Sequence, residues 1–313
     1  MGMGVGADIR PTSPTRFPRL VLPGVRIDLA RLAAYERVCG FPTGEDAVPL
    51  TYPHVLGFPL AMRIMSGRDF PLPLLGLVHT SIEITRRRRL PATGEYEITV
   101  YVEGLAPHRR GTEATVVTEV RDGSEGGSGG KGAGGGAGEG GIGVAWESRS
   151  TYLARHRRSE DTREERERIR EEQKRERIRE ERERVREGRA SLPVVAEWRL
   201  AGDVGRRYGA VSGDRNPIHL HPLGARLFGF PRPIAHGMWT VARCLAEHGT
   251  PPATLVRAEF RAPVPLPGTV TYAADGQAWG GFELRSDGDV PGGPVGPGGG
   301  RVHVKGRVYP LIP

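Results

Sequence analysis

Two segments of the chain place apolar residues at helical spacing, and each stands before a segment in which apolar and polar residues alternate. The helical runs are YPHVLGFPLAMRIM at 52–65 and IAHGMWTVARCLAEHG at 234–249. Strand-like alternation follows in EYEITVYV at 95–102 and in GTVTYAA at 268–274. A sheet wrapped around one helix would bury both elements in each half, so the pattern predicts an α+β fold.

The two halves also share short motifs in the same order. YERVCG at 35–40 has the spacing of YGAVSG at 208–213. The helical runs follow, each with a histidine near its start, and a third anchor matches Glu83, Ile84, Leu90 and Pro91 to Glu259, Phe260, Leu266 and Pro267. Matched anchors in one order predict a duplicated unit.

Three segments of low complexity separate or interrupt these units. Residues 123–143 contain 13 of the 46 glycines, and 288–300 is a second Gly/Pro-rich insertion. Both lack side chains to bury, so we expect surface insertions. Residues 155–188 hold 14 Lys/Arg and 12 Asp/Glu, with opposite charges one helical turn apart, which predicts a solvated helical linker.

These boundaries predict four parts. Residues 1–20 form a flexible N-terminus, 21–154 a first domain, 155–188 the linker and 189–313 a second domain. After Gly213 the second half carries the longer insertion DRNPIHLHPLGARLFGFPRP, whereas FPTGEDAVPLT follows Gly40 and has no matching Asp–His pair. The catalytic residues are therefore expected in the second half.

Charge and composition limit the classes of protein that remain. The net charge of +8 favours anionic partners, but the linker's own net charge is only +2, so nucleic acid is not the expected partner. No run of about 18 apolar residues exists, and no secretory signal is evident. Cys39 and Cys244 make no disulfide framework, so we expect buried thiols in a cytoplasmic protein. The basic run 86–89 is expected to be a solvated face, or else to dock a diphosphate or an acidic carrier.

One segment of the second half concentrates chemistry-bearing residues. Asp214, Asn216, Pro217, His219 and His221 lie within eight residues. Pro217 biases the residue before it away from helix, so an extended or turning chain can aim the carboxylate and an imidazole into one cleft. Such a pair can hold a water molecule and shuttle its proton.

A second element follows about seventeen residues later. Gly237 opens the predicted helix directly after His236, and a backbone N–H at a helix start can donate to an oxyanion. We expect no metal, because imidazoles two residues apart in an extended turn point to opposite sides, and no cysteine or carboxylate completes a tetrahedral set. Met238 and Trp239 are expected in the core.

Together these segments resemble a known family. YGAVSGDRNPIH at 208–219 followed by GFPRPIAHGM at 229–238 resembles the hydratase 2 motif of MaoC-like, (R)-specific enoyl-thioester hydratases, which are hotdog-fold proteins. YPHVLGFPLAMRIM and FPLPLLGLVH in the first half resemble the N-terminal hotdog of double-hotdog 3-hydroxyacyl-thioester dehydratases. The resemblance implies two antiparallel sheets, each wrapped around a central helix. His221 stands where the family pattern more often has a small acidic or polar residue.

The resemblance also implies roles for individual residues. Asp214 and His219 would activate water for addition to C3 of a trans-2-enoyl thioester and protonate C2, with Gly237 as the backbone oxyanion donor. Residues expected to contact or frame the substrate are Ser212, Asn216, His236, Leu56 and Leu60. The two leucines, with Met65, are expected to leave room along the first-half helix for a long acyl chain.

The expected substrate is an acyl-CoA or acyl carrier protein thioester of fatty-acid metabolism, with no cofactor required. A homodimer is an assembly that the sequence allows. Two other classes remain open at this point. A hotdog thioesterase would hydrolyse the thioester without calling for the Asp-x-Asn-Pro-x-His arrangement, and a non-catalytic scaffold would hold an acidic partner through 155–188.

Overall fold

A computed structural model describes residues 17–123, 143–156, 171, 192–276, 278–286 and 300–311. Within them ten antiparallel strands form one sheet in the order β1-β3-β4-β5-β2-β7-β10-β9-β8-β6. The strands are β1 (Leu20–Arg26), β2 (Val78–Arg86), β3 (Glu95–His108), β4 (Gly111–Asp122), β5 (Val144–Arg155), β6 (Val194–Leu200), β7 (Thr254–Phe260), β8 (Gly268–Ala274), β9 (Gly280–Ser286) and β10 (Arg301–Pro310).

Six helices are described with this sheet. They are α1 (Leu29–Cys39), α2 (Tyr52–Met65), α3 (Val204–Ser212), α4 (Pro217–Leu220), α5 (Pro222–Leu227) and α6 (Gly237–His248). Helix α2 packs on β3 and β4, where a Cβ on Gly57 would lie 2.5 Å from Thr118 Cγ2. Helix α6 packs on β9 in the other half. Each half is thus a five-stranded antiparallel sheet with a central helix, as the patterning predicts.

The strand order shows how the halves are related. Strands β1-β3-β4-β5-β2 of the first half are repeated as β6-β8-β9-β10-β7, read inward from the other edge. The two half-sheets join through the antiparallel pair β2–β7, where Ile84 lies opposite Val256 and Ile82 opposite Ala258. The predicted duplication is confirmed, and the two predicted sheets are continuous with each other.

Helices α1 and α3 contact each other and link the halves. Each ends at a left-handed glycine, Gly40 with φ of 82° and Gly213 with φ of 84°, so the matched motifs end their helices identically. The Arg31 guanidinium on α1 donates to the Val211 carbonyl of α3 at 2.9 Å. The second-half segment therefore starts from a position fixed by the first half.

One of the matched features is not equivalent in three dimensions. His54 lies inside the first turn of α2, whereas His236 precedes α6 and is its N-cap residue. Each histidine is followed by a helix, as the pattern predicts, but α2 begins two residues before its histidine and α6 one residue after. The predicted insertion is real: α4 and α5 lie between α3 and α6, and the described residues 41–51 contain no helix.

The basic run 86–89 is not uniformly solvated, contrary to expectation. Arg86 is buried, and its guanidinium donates to the Pro251 and Pro252 carbonyls at 2.6 and 3.0 Å. Burial lowers the pKa of Arg86 to about 10. Arg88, by contrast, pairs with Asp122 on the surface. The run ends strand β2, whose alternation turns every second side chain inward.

Other expectations for the core are confirmed. Cys39 and Cys244 are free and buried, and Met238 and Trp239 are buried with them. Trp239 Nε1 donates to the Val38 carbonyl at 2.9 Å, which ties α6 to α1. No helix among the described residues is long and apolar enough to span a membrane.

The predicted insertions fall mostly where the structure is not described. The N-terminal segment before residue 17, most of 123–143, almost all of 155–188 and most of 288–300 lie outside the described residues. Strand β5 resumes at Val144, directly after the first of these insertions, and β6 begins at Val194.

Buried histidines make the fold sensitive to acid. Burial lowers the pKa of His303 and of His54 to about 4, below the ordinary value near 6.5. The folded state therefore binds fewer protons than the unfolded state between these values, so the free energy of unfolding should fall as pH drops from about 6.5 to about 4. At about 1.4 kcal/mol per pKa unit, each histidine contributes a few kcal/mol to this loss.

The check is urea unfolding at a series of pH values for wild type and His303→Gln. Glutamine can still reach the Ser286 hydroxyl, which lies 2.9 Å from His303 Nε2, but it does not titrate. The variant should lose less stability on acidification. Parallel curves for the two proteins would contradict the assignment.

Candidate active site

Two glycines on helix α3 let the proposed catalytic segment lie directly on the helix. A Cβ on Gly205 would stand 2.0 Å from the His219 carbonyl oxygen, and one on Gly209 would stand 2.8 Å from the Asp214 carbonyl oxygen. Because the glycines are one turn apart, they form a flat strip on one face of α3. The backbone of 214–219 occupies that strip.

Local hydrogen bonds then shape the segment. The Asp214 N–H donates to Ser212 Oγ at 3.2 Å, and the Asn216 N–H donates to Asp214 Oδ1 at 3.2 Å. Asn216 is the N-cap of α4, and its Oδ1 accepts from the Ile218 N–H at 3.4 Å. Asp, Asn and Ser favour such turns because their short side chains reach the backbone two residues on. The carboxylate of Asp214 is thereby fixed by one oxygen.

His219 lies on a single helical turn rather than in an extended segment. Asn216, three residues earlier, has a non-helical ψ of 125°, as expected before a proline, but α4 then begins at Pro217 itself. The His219 ring is buried, and Nδ1 donates to the Ile234 carbonyl at 2.8 Å. This bond sets the tautomer in which Nε2 carries a lone pair.

The charge state of His219 depends on two opposing influences. Burial lowers its pKa, while the nearby Asp214 carboxylate and the bond to the Ile234 carbonyl raise it. The net direction is downward, so the imidazole is neutral near pH 7 and its Nε2 can accept a proton. Because Asp214 favours the protonated ring, the carboxylate would stabilise the imidazolium that forms during proton transfer.

His236 contacts both members of this pair. Its ring stacks on the His219 ring with centroids 3.7 Å apart, and it lies 4.9 Å from the Tyr208 ring. Nε2 donates to the Asp214 carbonyl at 3.0 Å and lies 3.9 Å from Asp214 Oδ2. Burial and His219 lower its pKa well below the usual range. His236 is therefore a neutral ring that holds the Asp214 backbone and the His219 ring together.

Asp214, His219 and His236 each offer one ligand atom within 4.8 Å of the others, which raises the question of a metal ion. The prediction that no carboxylate joins two histidines here was wrong, because the fold brings His236 to Asp214 across the sequence. The two rings are nearly parallel, at 27°. In-plane lone pairs on stacked, nearly parallel rings do not converge on one ion, so the geometry does not suit tetrahedral zinc.

Gly237 is the first residue of α6, directly after the N-cap His236. The N–H groups of the first turn of a helix have no partner within the helix, and they lie at the positive end of its dipole. A Cβ on Gly237 would stand 2.9 Å from Phe260 Cε1, so a larger residue would collide with this ring. Gly237 directly follows His236, whose ring contacts both Asp214 and His219, so α6 begins beside this pair.

The remaining predicted residues hold the backbone of this segment, cap the next helix or pack against the core. Ser212 and His236 are buried and committed to the Asp214 backbone, as described above. Leu56 and Leu60 lie one turn apart on α2 and are partly buried against the core. His221 is exposed, and its Nδ1 accepts from the Leu223 N–H at 3.2 Å as the N-cap of α5.

Sequence reasoning missed a contribution from the first half. Tyr152 on β5 lies close enough for the Asp214 carboxylate to raise the pKa of its hydroxyl, in addition to the larger effect of burial. His79 on β2 stacks on Tyr152 and also contacts Phe260. No local sequence pattern indicated this contact, because it depends on how β2 pairs with β5 and β7 where the half-sheets join.

The glycine strip on α3 gives a structural test of the site. Gly205→Ala places a methyl group 2.0 Å from the His219 carbonyl, so the segment must move and the proton-transfer geometry should be lost. We expect activity to fall at least about tenfold, because a misplacement near 1 Å is costly in catalysis. Gly104→Ala is the matched control, since nothing lies within 4 Å of the added Cβ. Equal activities of the two variants would contradict this account.

Comparison with known proteins places this geometry in a family. A family model described as MaoC like domain matches residues 181–278. The 3-hydroxyacyl-thioester dehydratase X of Mycobacterium tuberculosis is 36% identical over 262 residues, covering 82% of this chain and 80% of the relative. The crystal structure of HtdX from the same organism matches with a TM-score of 0.67 and 31% identity, over 94% of this chain and 100% of that one.

A more distant structure supports the fold alone. A MaoC-like dehydratase from Phytophthora capsici is 16% identical, with a TM-score of 0.60 over 93% of this chain and 95% of its own. The relatives from M. tuberculosis are similar to this chain in sequence and in fold. The site described above thus lies in a double-hotdog chain with such relatives. The chain belongs to the MaoC-like dehydratase family.

Proposed function

We propose that this protein is a hydro-lyase that adds water to trans-2-enoyl thioesters to give (R)-3-hydroxyacyl thioesters and catalyses the reverse dehydration in fatty-acid metabolism. The observation that carries the proposal is the placement of Asp214 and His219 beside the N-terminus of α6. The name of the M. tuberculosis relative, a 3-hydroxyacyl-thioester dehydratase, supports the same reaction class.

The proposed mechanism begins at the thioester carbonyl. The carbonyl oxygen accepts a hydrogen bond from the Gly237 N–H, and the positive end of the α6 dipole stabilises the negative charge that builds up on it. This polarisation withdraws electrons from C3, which becomes open to attack by water. No charged side chain is needed for this step.

Proton transfer is then assigned to the pair. His219 Nε2 takes a proton from water as the water oxygen bonds to C3, and Asp214 stabilises the imidazolium and holds the water. The same proton is delivered to C2 as the enolate collapses, so one water molecule supplies the hydroxyl at C3 and the hydrogen at C2. His236, Ser212 and Asn216 act as positioning residues, because their hydrogen bonds hold the segment and do not reach the reacting atoms.

We further propose that the chain consists of two hotdog units, 21–154 and 189–313, and that only the second is catalytic. The described residues 41–51, which connect α1 to α2, lack the short helices α4 and α5 that carry His219 and follow Asp214. The first unit is proposed to take the acyl chain along α2 at Leu56 and Leu60. Activity restricted to four-carbon substrates would contradict that role.

We propose that the substrate's acyl chain is carried as a thioester on coenzyme A or on an acyl carrier protein. The enzyme itself is proposed to be a monomer or a homodimer. Cys39 and Cys244 are buried, and burial raises the pKa of both thiols. Inert, unpaired thiols fit a reducing compartment, so we propose a cytoplasmic enzyme.

Asp214→Asn tests the assigned chemistry directly. Asparagine keeps the size of the side chain and can still accept the Asn216 N–H, but it removes the charge that stabilises the imidazolium. We expect the rate of hydration to fall at least about a hundredfold with an unchanged melting temperature. The assay follows loss of enoyl absorbance with purified protein.

Asp28→Asn is the matched control for this variant. Asp28 caps α1 by accepting from the Ala30 and Arg31 N–H groups, and asparagine is an equally good N-cap. The control should keep wild-type activity. Full activity of Asp214→Asn would refute the proposed role of the carboxylate, and absence of hydration by wild type on any chain length would refute the function.

A further inference from the structure

Three aromatic rings form a row across the junction of the two half-sheets. Tyr152 on β5 lies opposite His79 on β2, and their ring centroids are 4.5 Å apart. His79 in turn lies 4.6 Å from the ring of Phe260 on β7. Both ends of the row reach the candidate active site. Phe260 lies against Gly237, and the Asp214 carboxylate contributes to raising the pKa of the Tyr152 hydroxyl.

A second histidine faces this row from the central helix of the first half. The His54 ring on α2 is nearly parallel to the His79 ring, at 13°, with centroids 6.3 Å apart. We call His54, His79 and Tyr152 the histidine cluster. All three side chains come from the half that lacks the Asp–His pair.

The histidine cluster holds buried polar atoms that no described residue satisfies. His54 is only 8% exposed, and its Nδ1 is buried with no hydrogen-bond partner among the described residues. His79 Nε2 is likewise shielded from solvent and has no partner in the part of the chain that the structure describes. Buried polar groups in folded proteins are nearly always paired, because leaving one unpaired costs free energy. Two such atoms lie on neighbouring rings, whose centroids are 6.3 Å apart, so the cluster can offer hydrogen bonds to a polar partner.

Packing alone does not explain these residues. The next positions along the same inner face are Ile82 on β2, opposite Ala258 on β7 and Ser150 on β5. Small and aliphatic residues thus fill the neighbouring rows. A phenylalanine at position 54 or 79 would supply the same ring area without burying a polar atom.

The charge state of the cluster narrows the partner to a neutral group. Burial lowers the pKa of His54 to about 4 and that of His79 to about 3, so both rings are uncharged near pH 7. A neutral imidazole offers one donor and one acceptor and brings no charge to balance an anion, which favours a hydroxyl or a carbonyl.

We propose that the histidine cluster binds an oxygen function on the acyl chain, so that the preferred substrates are enoyl thioesters whose chain carries a hydroxyl or keto group beyond the reacting carbons. This inference rests on the proposed function and specifies its substrate class. Only the Phe260 ring separates His79 from Gly237, so we expect an acyl chain whose carbonyl binds at Gly237 to reach the cluster. An amide oxygen of the pantetheine arm has the same chemistry, and the experiment separates the two sources.

The experiment compares a plain medium-chain trans-2-enoyl-CoA with analogues that carry one hydroxyl or keto group at successive carbons beyond C4. The measured quantity is the ratio of kcat/KM for each oxygenated substrate to that for the plain chain. Wild type should favour at least one oxygenated position by about tenfold, the value expected when one buried group gains its hydrogen bond. In His79→Phe and His54→Phe the ratio should fall to about one or below.

Two further variants keep the result interpretable. His79→Gln retains an amide near the position of Nε2 and should recover part of the ratio. His303→Phe is the matched control, since His303 is also a buried, neutral histidine but lies on β10 with its Nε2 on Ser286 Oγ. Its ratio should equal that of wild type.

Each alternative result overturns the inference. If wild type hydrates the plain chain as well as every oxygenated analogue, the cluster does not recognise acyl oxygen. If His79→Phe lowers kcat/KM for plain and oxygenated chains by the same factor, the cluster serves the pantetheine arm or the fold. Absence of hydration of every substrate by wild type, plain and oxygenated, is a separate outcome, because it refutes the proposed function itself.

Discussion

The close contact between helix α3 and the backbone of 214–219 is the constraint on which the active site depends. A Cβ on Gly205 or Gly209 would lie only 2.0 or 2.8 Å from a carbonyl oxygen of this segment, so any side chain there would push the two apart. With the segment seated there, His219 can reach the Ile234 carbonyl and His236 can reach the Asp214 carbonyl. The tautomer of His219 and the place of the carboxylate both follow from this packing.

The same architecture gives the two halves different tasks. Both contain a helix that ends at a left-handed glycine and a central helix on a five-stranded sheet. In the second half the connection between these helices carries the proposed proton-transfer pair. In the first half the connection is shorter, and α2 and β2 carry the buried His54 and His79. The proposal thus gives the chemistry to the second unit and selection of the substrate to the first.

Much of this could be predicted from the sequence, and the limits have physical causes. The two central helices and the repeat could be predicted because each motif that reveals them is a short local pattern. The roles of Asp214, His219 and Gly237 came from a local motif and stay a prediction. The sequence did not indicate that His236 reaches back to Asp214, nor that Arg86 is buried, because both depend on contacts between distant segments. The proposed participation of His79 and Tyr152 depends on the β2–β5 and β2–β7 register, which no local pattern specifies.

The residues of the glycine strip illustrate the same limit. Glycines within a helix usually weaken it, so Gly205 and Gly209 look unfavourable when α3 is considered alone. Their value appears only when the catalytic segment is placed on them. The two glycines lower the stability of α3. They are needed because the contact that positions Asp214 and His219 leaves no room for a side chain at these positions.

The central claim is that one bound water molecule is split across C2 and C3 by the Asp214–His219 pair. The most direct measurement is to hydrate a trans-2-enoyl thioester in deuterium oxide and to analyse the product by NMR and chiral chromatography. The account predicts an intact thioester that carries the (R)-hydroxyl at C3 and a single deuterium at one face of C2. Release of free thiol without hydration, or an (S)-hydroxyl product, would contradict it.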